Sequence, residues 1–70
     1  MYFKAVRKDP HYIENHEKQV PWDEISRIVQ RASKHMRKKG DKIEIELEGY
    51  YLLCEMKEGY LYVINAKRNT

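Results

Sequence analysis

Apolar and polar positions change rhythm twice along this chain. The opening "MYFKAV" alternates weakly and is rich in strand formers, which predicts a short strand. From Pro10 the rhythm lengthens. Tyr12, Ile13, His16 and Val20 recur at helical spacing and predict a short helix over residues 10–19. Asp9 before Pro10 marks its start: an N-cap, then proline at the first helical position, where the missing N–H costs nothing. Pro21 disfavours helical backbone at Val20 and is suited to open a second helix. Trp22, Ile25, Ile28, Val29, Ala32 and Met36 form the apolar stripe of that helix. Asp23 and Glu24 fall in its first turn, lysines in its last, and Gly40 is its expected stop.

Beyond Gly40 the period shortens to two. "KIEIELEGYYLLCEMKEGYLYVINA" contains Glu-Gly pairs at 48–49 and 58–59, read as two-residue hairpin loops. They set a register with Leu47 opposite Tyr50 and Lys57 opposite Tyr60. One face then carries Ile43, Ile45, Leu47, Tyr50, Leu52, Cys54, Met56, Leu61 and Val63, and is expected to pack on the helices. A one-residue slip would bury Glu44 and Glu46 instead. The other face carries Glu44, Glu46 and Glu48, then Tyr51, Leu53, Glu55 and Lys57, then Tyr60, Tyr62, Ile64 and Ala66, with Leu53 expected opposite Ile64. The predicted order is β-α-α-β-β-β in a single domain spanning 1–70. That is an α+β fold, an antiparallel sheet packed on two helices.

Size changes the picture first. Seventy residues bury a small fraction of their surface, so tight packing or a partner is needed. Cys54 is the sole cysteine, so no internal disulfide can help, which fits a cytoplasmic location. No apolar run approaches the roughly 20 residues of a membrane span, and the N-terminus shows no signal-peptide core. No membrane partner is expected. The outer sheet face, with Leu53 and Ile64 among tyrosines, reads in two ways. It is a contact surface, making a homodimer through Tyr51, Leu53, Tyr62 and Ile64, or it reflects ordinary strand propensity.

The net charge of +3 hides an asymmetry. Residues 27–42 hold Arg27, Arg31, Lys34, Arg37, Lys38, Lys39 and Lys42 against Asp41 alone, a local charge of +6. Such a block is either a footprint for phosphate or a solvated helix face whose last-turn cations suit the helix dipole. His11 and His16 lie about 140° apart around a helix, whereas two ligands to one metal want four-residue spacing. No metal site is expected. His16 reads as a core histidine, and His11 retains a candidate catalytic role.

The element order, together with "HYIENHEKQVPWDEI" at 11–25 and "GYLYVINAKR" at 59–68, resembles small uncharacterised relatives of the RelE/ParE toxin superfamily. The likeness covers most of the chain with loose motifs. Asn15, His16 and Lys18 stand where those relatives usually carry arginines. The resemblance implies a RelE-like fold and a metal-independent, cofactor-free mRNA endoribonuclease toxin, or a degenerate relative that still binds RNA. The implied partners are RNA or the ribosome, and an antitoxin-like protein. The positions it marks as catalytic are Arg68, Lys67 and His11. Arg31, Lys34, Arg37 and Lys38 would hold phosphates, and Tyr60 and Tyr62 would stack on bases. The competing expectation is a non-enzymatic interaction module that dimerises or binds an antitoxin-like partner through its sheet face. Convergence of Lys34, Arg37, Lys67 and Arg68 on one concave surface would favour RNA; scatter would favour the interaction module.

Overall fold

Asp9 does cap the first helix. Its backbone is extended (φ −80°, ψ 148°) and its side chain accepts from the His11 N–H at 2.9 Å, with Pro10 in the first turn. The structure, a computed structural model, describes residues 3–32 and 34–68. Its elements are β1 (Val6–Lys8), α1 (Pro10–Asn15), α2 (Trp22–Arg31), β2 (Met36–Lys39), β3 (Lys42–Leu47), β4 (Tyr50–Lys57) and β5 (Tyr60–Arg68). The first strand lies later than the expected "MYFKAV", of which Met1 and Tyr2 fall outside the described residues. Helix α1 is shorter than expected, because the chain turns at His16 and the Val20 N–H returns to the His16 carbonyl at 2.9 Å.

The largest departure lies between Arg31 and Gly40. The expected long helix stops at Arg31, and Met36–Lys39 form a strand paired antiparallel with β3, Met36 opposite Ile45 and Lys39 opposite Lys42. Gly40, with φ +65°, opens the two-residue loop that joins them. Both periods put Met36 inward, so the pattern alone did not separate them. Between Ala32 and Met36 stand only Ser33, Lys34 and His35, which give a continuing helix nothing to bury. A strand there gains ladder bonds and covers the β3 edge with a cationic one.

The class is α+β, with two helices and a five-stranded sheet in the order β1-β5-β4-β3-β2. The sheet is mixed rather than wholly antiparallel. β1 runs parallel to β5, with Val6 opposite Leu61 and Lys8 opposite Val63. That arrangement follows from α1 and α2 lying between β1 and the hairpins, since a long crossover returns the chain in either direction. The expected hairpin register holds, with Leu47 opposite Tyr50 and Lys57 opposite Tyr60. Both loops are Glu-Gly with positive φ at each residue: 54° and 82° at Glu48–Gly49, 53° and 85° at Glu58–Gly59.

A bulge breaks the alternation in β5. Cys54 faces Val63 but Leu53 faces Asn65, so Ile64 is the extra residue and does not oppose Leu53. Everything after Ile64 changes face. Ala66, expected on the outer face, lies opposite Leu52 and is fully buried. Lys67 joins Tyr51 on the outer face, and Arg68 joins Tyr50 on the helix side.

The core joins Ile25, Ile28, Val29 and Ala32 of the α2 segment to Ile43, Ile45, Leu52, Cys54, Leu61, Val63 and Ala66 of the sheet. Tyr12 and Val20 complete it, and the Tyr12 hydroxyl donates to the Val20 carbonyl at 2.7 Å. Burial, with Glu17 nearby, pushes that hydroxyl up to about 12. Trp22 is half-buried, its ring 5.6 Å from that of Tyr12.

Candidate nucleic-acid interface

The sheet face turned away from the core is the surface on which polar and aromatic groups gather. It carries Arg37 and Lys39 from β2, Glu44 and Glu46 from β3, and Tyr51, Leu53 and Glu55 from β4. β5 adds Tyr60, Tyr62, Ile64, Asn65 and Lys67, and β1 adds Arg7. None of these residues is buried. Leu53 and Ile64 are half-buried among the tyrosines; the large apolar side chain that stands most exposed among the described residues is Ile13, on α1.

The two halves of this face differ electrically. On the β2–β3 side the cations are held by glutamates. Arg37 bonds Glu46 and lies 3.6 Å from Glu44, while Lys42 bonds Glu55 at 2.6 Å. A hydrogen bond from the Tyr51 hydroxyl, aided by Lys39 and Arg37, holds the Glu44 carboxyl below its usual range. Hydrogen bonds from Lys42 and Lys57 do the same for Glu55. On β4 and β5 each outward tyrosine carries a cation over its ring. Lys67 lies 5.5 Å from Tyr51, Lys57 5.5 Å from Tyr62, and Arg7 and Lys4 lie 4.4 and 5.7 Å from Tyr60. Exposed cation–π contacts are weak, about 0.5–1 kcal/mol. Lys57 also lies 3.3 Å from Glu55, whereas Arg7 and Lys67 pair with no carboxylate among the described residues, so their charges remain available to another partner.

The basic segment 27–42 is dispersed by the fold. Arg31, on α2, pairs with Glu48 at 3.1 Å. Lys34 lies in the connection after α2, and Lys38 points to the helix side of β2 opposite Ile43. Arg37 lies on the outer face but three strands from β5, roughly 14 Å at the usual strand spacing. Arg68 leaves Lys67 for the opposite face, where its guanidinium bonds Glu24 at 2.6 Å. Tyr50 donates to the same carboxylate at 2.5 Å, and that bond, with Arg68, depresses the Glu24 carboxyl. Lys34, Arg37, Lys67 and Arg68 thus do not share one concave surface.

His11 is exposed. Its ring lies 5.1 Å from that of His16, and the Asn15 amide nitrogen is 3.3 Å from its Nδ1. His16, read as a core residue, is half-buried, and its Nε2 has no partner in the protein among the described residues. Burial pushes the Cys54 thiol up to about 12, which removes it as a nucleophile near neutrality. Among the described residues no three His, Cys, Asp or Glu side chains gather as metal ligands, and no helix is long and apolar enough to cross a membrane.

Sequence reasoning missed Arg7, Lys57 and Asn65. The cations at 7 and 57 lie outside the basic block that drew attention, and Asn65 faces outward because of the bulge. Comparison with protein-family models, curated proteins and solved structures finds no match to this chain.

Proposed function

We propose that this chain is an RNA-binding domain, RelE-like apart from the added strand β2, which makes its order β-α-α-β-β-β-β rather than the expected β-α-α-β-β-β, and that it receives single-stranded RNA on the β5–β1 half of its open sheet face. The observation that carries this reading is the row of tyrosines, Tyr51, Tyr60 and Tyr62, each with a lysine or arginine within 6 Å of its ring. Bases stack on aromatic rings whatever their sequence, while flanking cations neutralise the backbone. Tyr60 and Tyr62 are two residues apart on one strand, about 6.8 Å, so each ring takes a separate base. The glutamates of β3 repel phosphate and confine the path to the β5–β1 side.

The geometry favours binding over cleavage. An arginine acts on a scissile phosphate by stabilising developing negative charge, and Arg68 is already neutralised by Glu24. The competing reading, a protein-interaction module that dimerises or takes an antitoxin-like partner through Tyr51, Leu53, Tyr62 and Ile64, draws support from the scatter of the basic block and from the half-buried Leu53 and Ile64.

Titration of labelled oligouridylate in EDTA, across a range of salt, separates the two. Binding is expected with a log–log salt slope near −0.7 per phosphate contact. Replacing Arg7 and Lys67 with alanine should flatten it by roughly 1.4. Replacing Tyr62 with alanine should cost about 1–3 kcal/mol. Arg37→Ala should leave the slope unchanged. No binding at low salt, together with a dimer in sedimentation that Leu53→Glu dissociates, would replace the RNA reading with the interaction module. Cleavage products that disappear in Arg68→Ala would restore the nuclease expectation.

A further inference from the structure

We propose that the open edge of β2 is a docking strand for an acidic, extended peptide, which adds to the sheet outside β2 and leaves the outer sheet face free. In the strand order β1-β5-β4-β3-β2, β2 has β3 on one side and no strand on the other among the described residues. The loop at Gly40 and Asp41 fixes which backbone groups are spare. In an antiparallel pair the residues flanking a two-residue loop exchange hydrogen bonds, and the pattern then alternates. Lys39 flanks the loop opposite Lys42, so Lys39 and Arg37 turn their N–H and C=O groups towards β3. Met36 and Lys38 turn theirs outward, where no backbone group meets them among the described residues. An open edge of this kind is a template for another extended chain.

Charge selects which chain. Residues 34–39 include Lys34, Arg37, Lys38 and Lys39 and no carboxylate. Lys34 and Lys38 are exposed and pair with no carboxylate among the described residues, and Lys39 comes no nearer to Glu44 than 4.0 Å. Cations on an edge guard against self-association. A second copy of β2 would set lysine and arginine against lysine and arginine, and like charges directly opposite destabilise a strand pair. The same charge draws an acidic strand. The inner side of β2 shows what suits it: β3 places Glu44 opposite Arg37, and Glu46 bonds the same guanidinium. A partner with glutamate or aspartate at alternate positions repeats that arrangement on the free side. RNA suits the edge less well. Phosphate oxygens only accept, so they leave the outward carbonyls of Met36 and Lys38 unanswered. A peptide backbone answers N–H and C=O alike.

The test uses the full chain and a fluorescein-labelled eight-residue peptide alternating glutamate and threonine. Two controls accompany it: the same peptide with its amides N-methylated, which keeps the charge and removes the ladder donors, and a peptide with lysine in place of glutamate. The unmethylated acidic peptide should bind at low salt about 10-fold more tightly than its methylated form, the worth of one or two backbone hydrogen bonds. The lysine peptide should not bind. Hydrogen exchange should slow at the Met36 and Lys38 amides and stay unchanged at Arg37 and Lys39, which already bond β3. Lys38→Pro removes one outward N–H, is tolerated on an edge strand, and should weaken binding about 5-fold. Lys39→Glu keeps the backbone intact and should weaken it as well, with melting curves confirming that each variant is folded. Equal affinity for the methylated and unmethylated peptides overturns strand addition, and so does protection that falls away from Met36 and Lys38. Oligouridylate that protects those two amides would put nucleic acid on this edge and overturn the peptide. No peptide binding at low salt overturns the inference and leaves the RNA reading untouched.

Discussion

Replacing Tyr12 with phenylalanine removes one oxygen from a place that water cannot reach. Tyr12 is 0% and Val20 1% exposed, and the hydroxyl donates to the Val20 carbonyl at 2.7 Å. Val20 precedes Pro21 in the corner between the helices, and no backbone N–H reaches that carbonyl among the described residues. The lost bond alone is worth about 0.5–1.5 kcal/mol, and a stranded buried acceptor raises the cost to about 1–3 kcal/mol. In a domain of this size each kcal/mol moves Tm by roughly 4–8 °C, so Tyr12→Phe should melt about 5–20 °C lower at pH 7. Far-UV circular dichroism measures this. The same substitution carries a pH signature. The tyrosine ionises near 10 when unfolded and at about 12 when folded, because burial disfavours the phenolate. Its contribution is therefore complete below pH 10 and lost as pH rises towards 12. Phenylalanine cannot ionise, so the gap between parent and variant should narrow over that window. A variant melting within about 2 °C of the parent at pH 7, or a gap that stays constant in alkali, would refute the proposed role of this hydroxyl.

Two further outcomes follow from the turns and the carboxylates. Glu58 occupies the left-handed region at φ 53°, which asparagine tolerates better, so Glu58→Asn should stabilise by roughly 0.5–1 kcal/mol and raise Tm by a few degrees; a lower Tm would count against the turn assignment. Glu24, Glu44 and Glu55 all have carboxyls held below their usual value, by hydrogen bonds chiefly from Tyr50, Tyr51 and Lys42. Their contribution is present above the ordinary carboxylate pKa near 4.5 and lost as pH falls through the depressed values. Tm should therefore drop on acidification below about pH 4.5, and Glu24→Gln should soften that drop; an acid limb identical to the parent's would show that Glu24 does not contribute.

Local chemistry determined much of this protein from its sequence alone. Asp9-Pro10 starts a helix because a carboxylate caps free N–H groups and proline lacks the one it would waste. The Glu-Gly pairs set the hairpin register because a one-residue slip would bury glutamates. Those two devices, with Pro21 opening the second helix and the stripe of Ile25, Ile28 and Val29, account for both helix starts, the β3–β4–β5 meander and most of the core. What failed to show was whatever depended on a distant partner. Met36 suits a helix stripe and a strand equally, and only the open edge of β3 decided between them. The direction of β1 depended on which side of β5 remained free. The Ile64 bulge has no local signature, yet it exchanges the faces of four residues. It sends Ala66 into the core, aims Arg68 at Glu24, and places Asn65 and Lys67 on the outer face. The candidate site was legible as residue types, tyrosines and cations, but not as a place. Side-chain direction in a strand has a period of two, so one extra residue that propensity cannot see reverses everything beyond it.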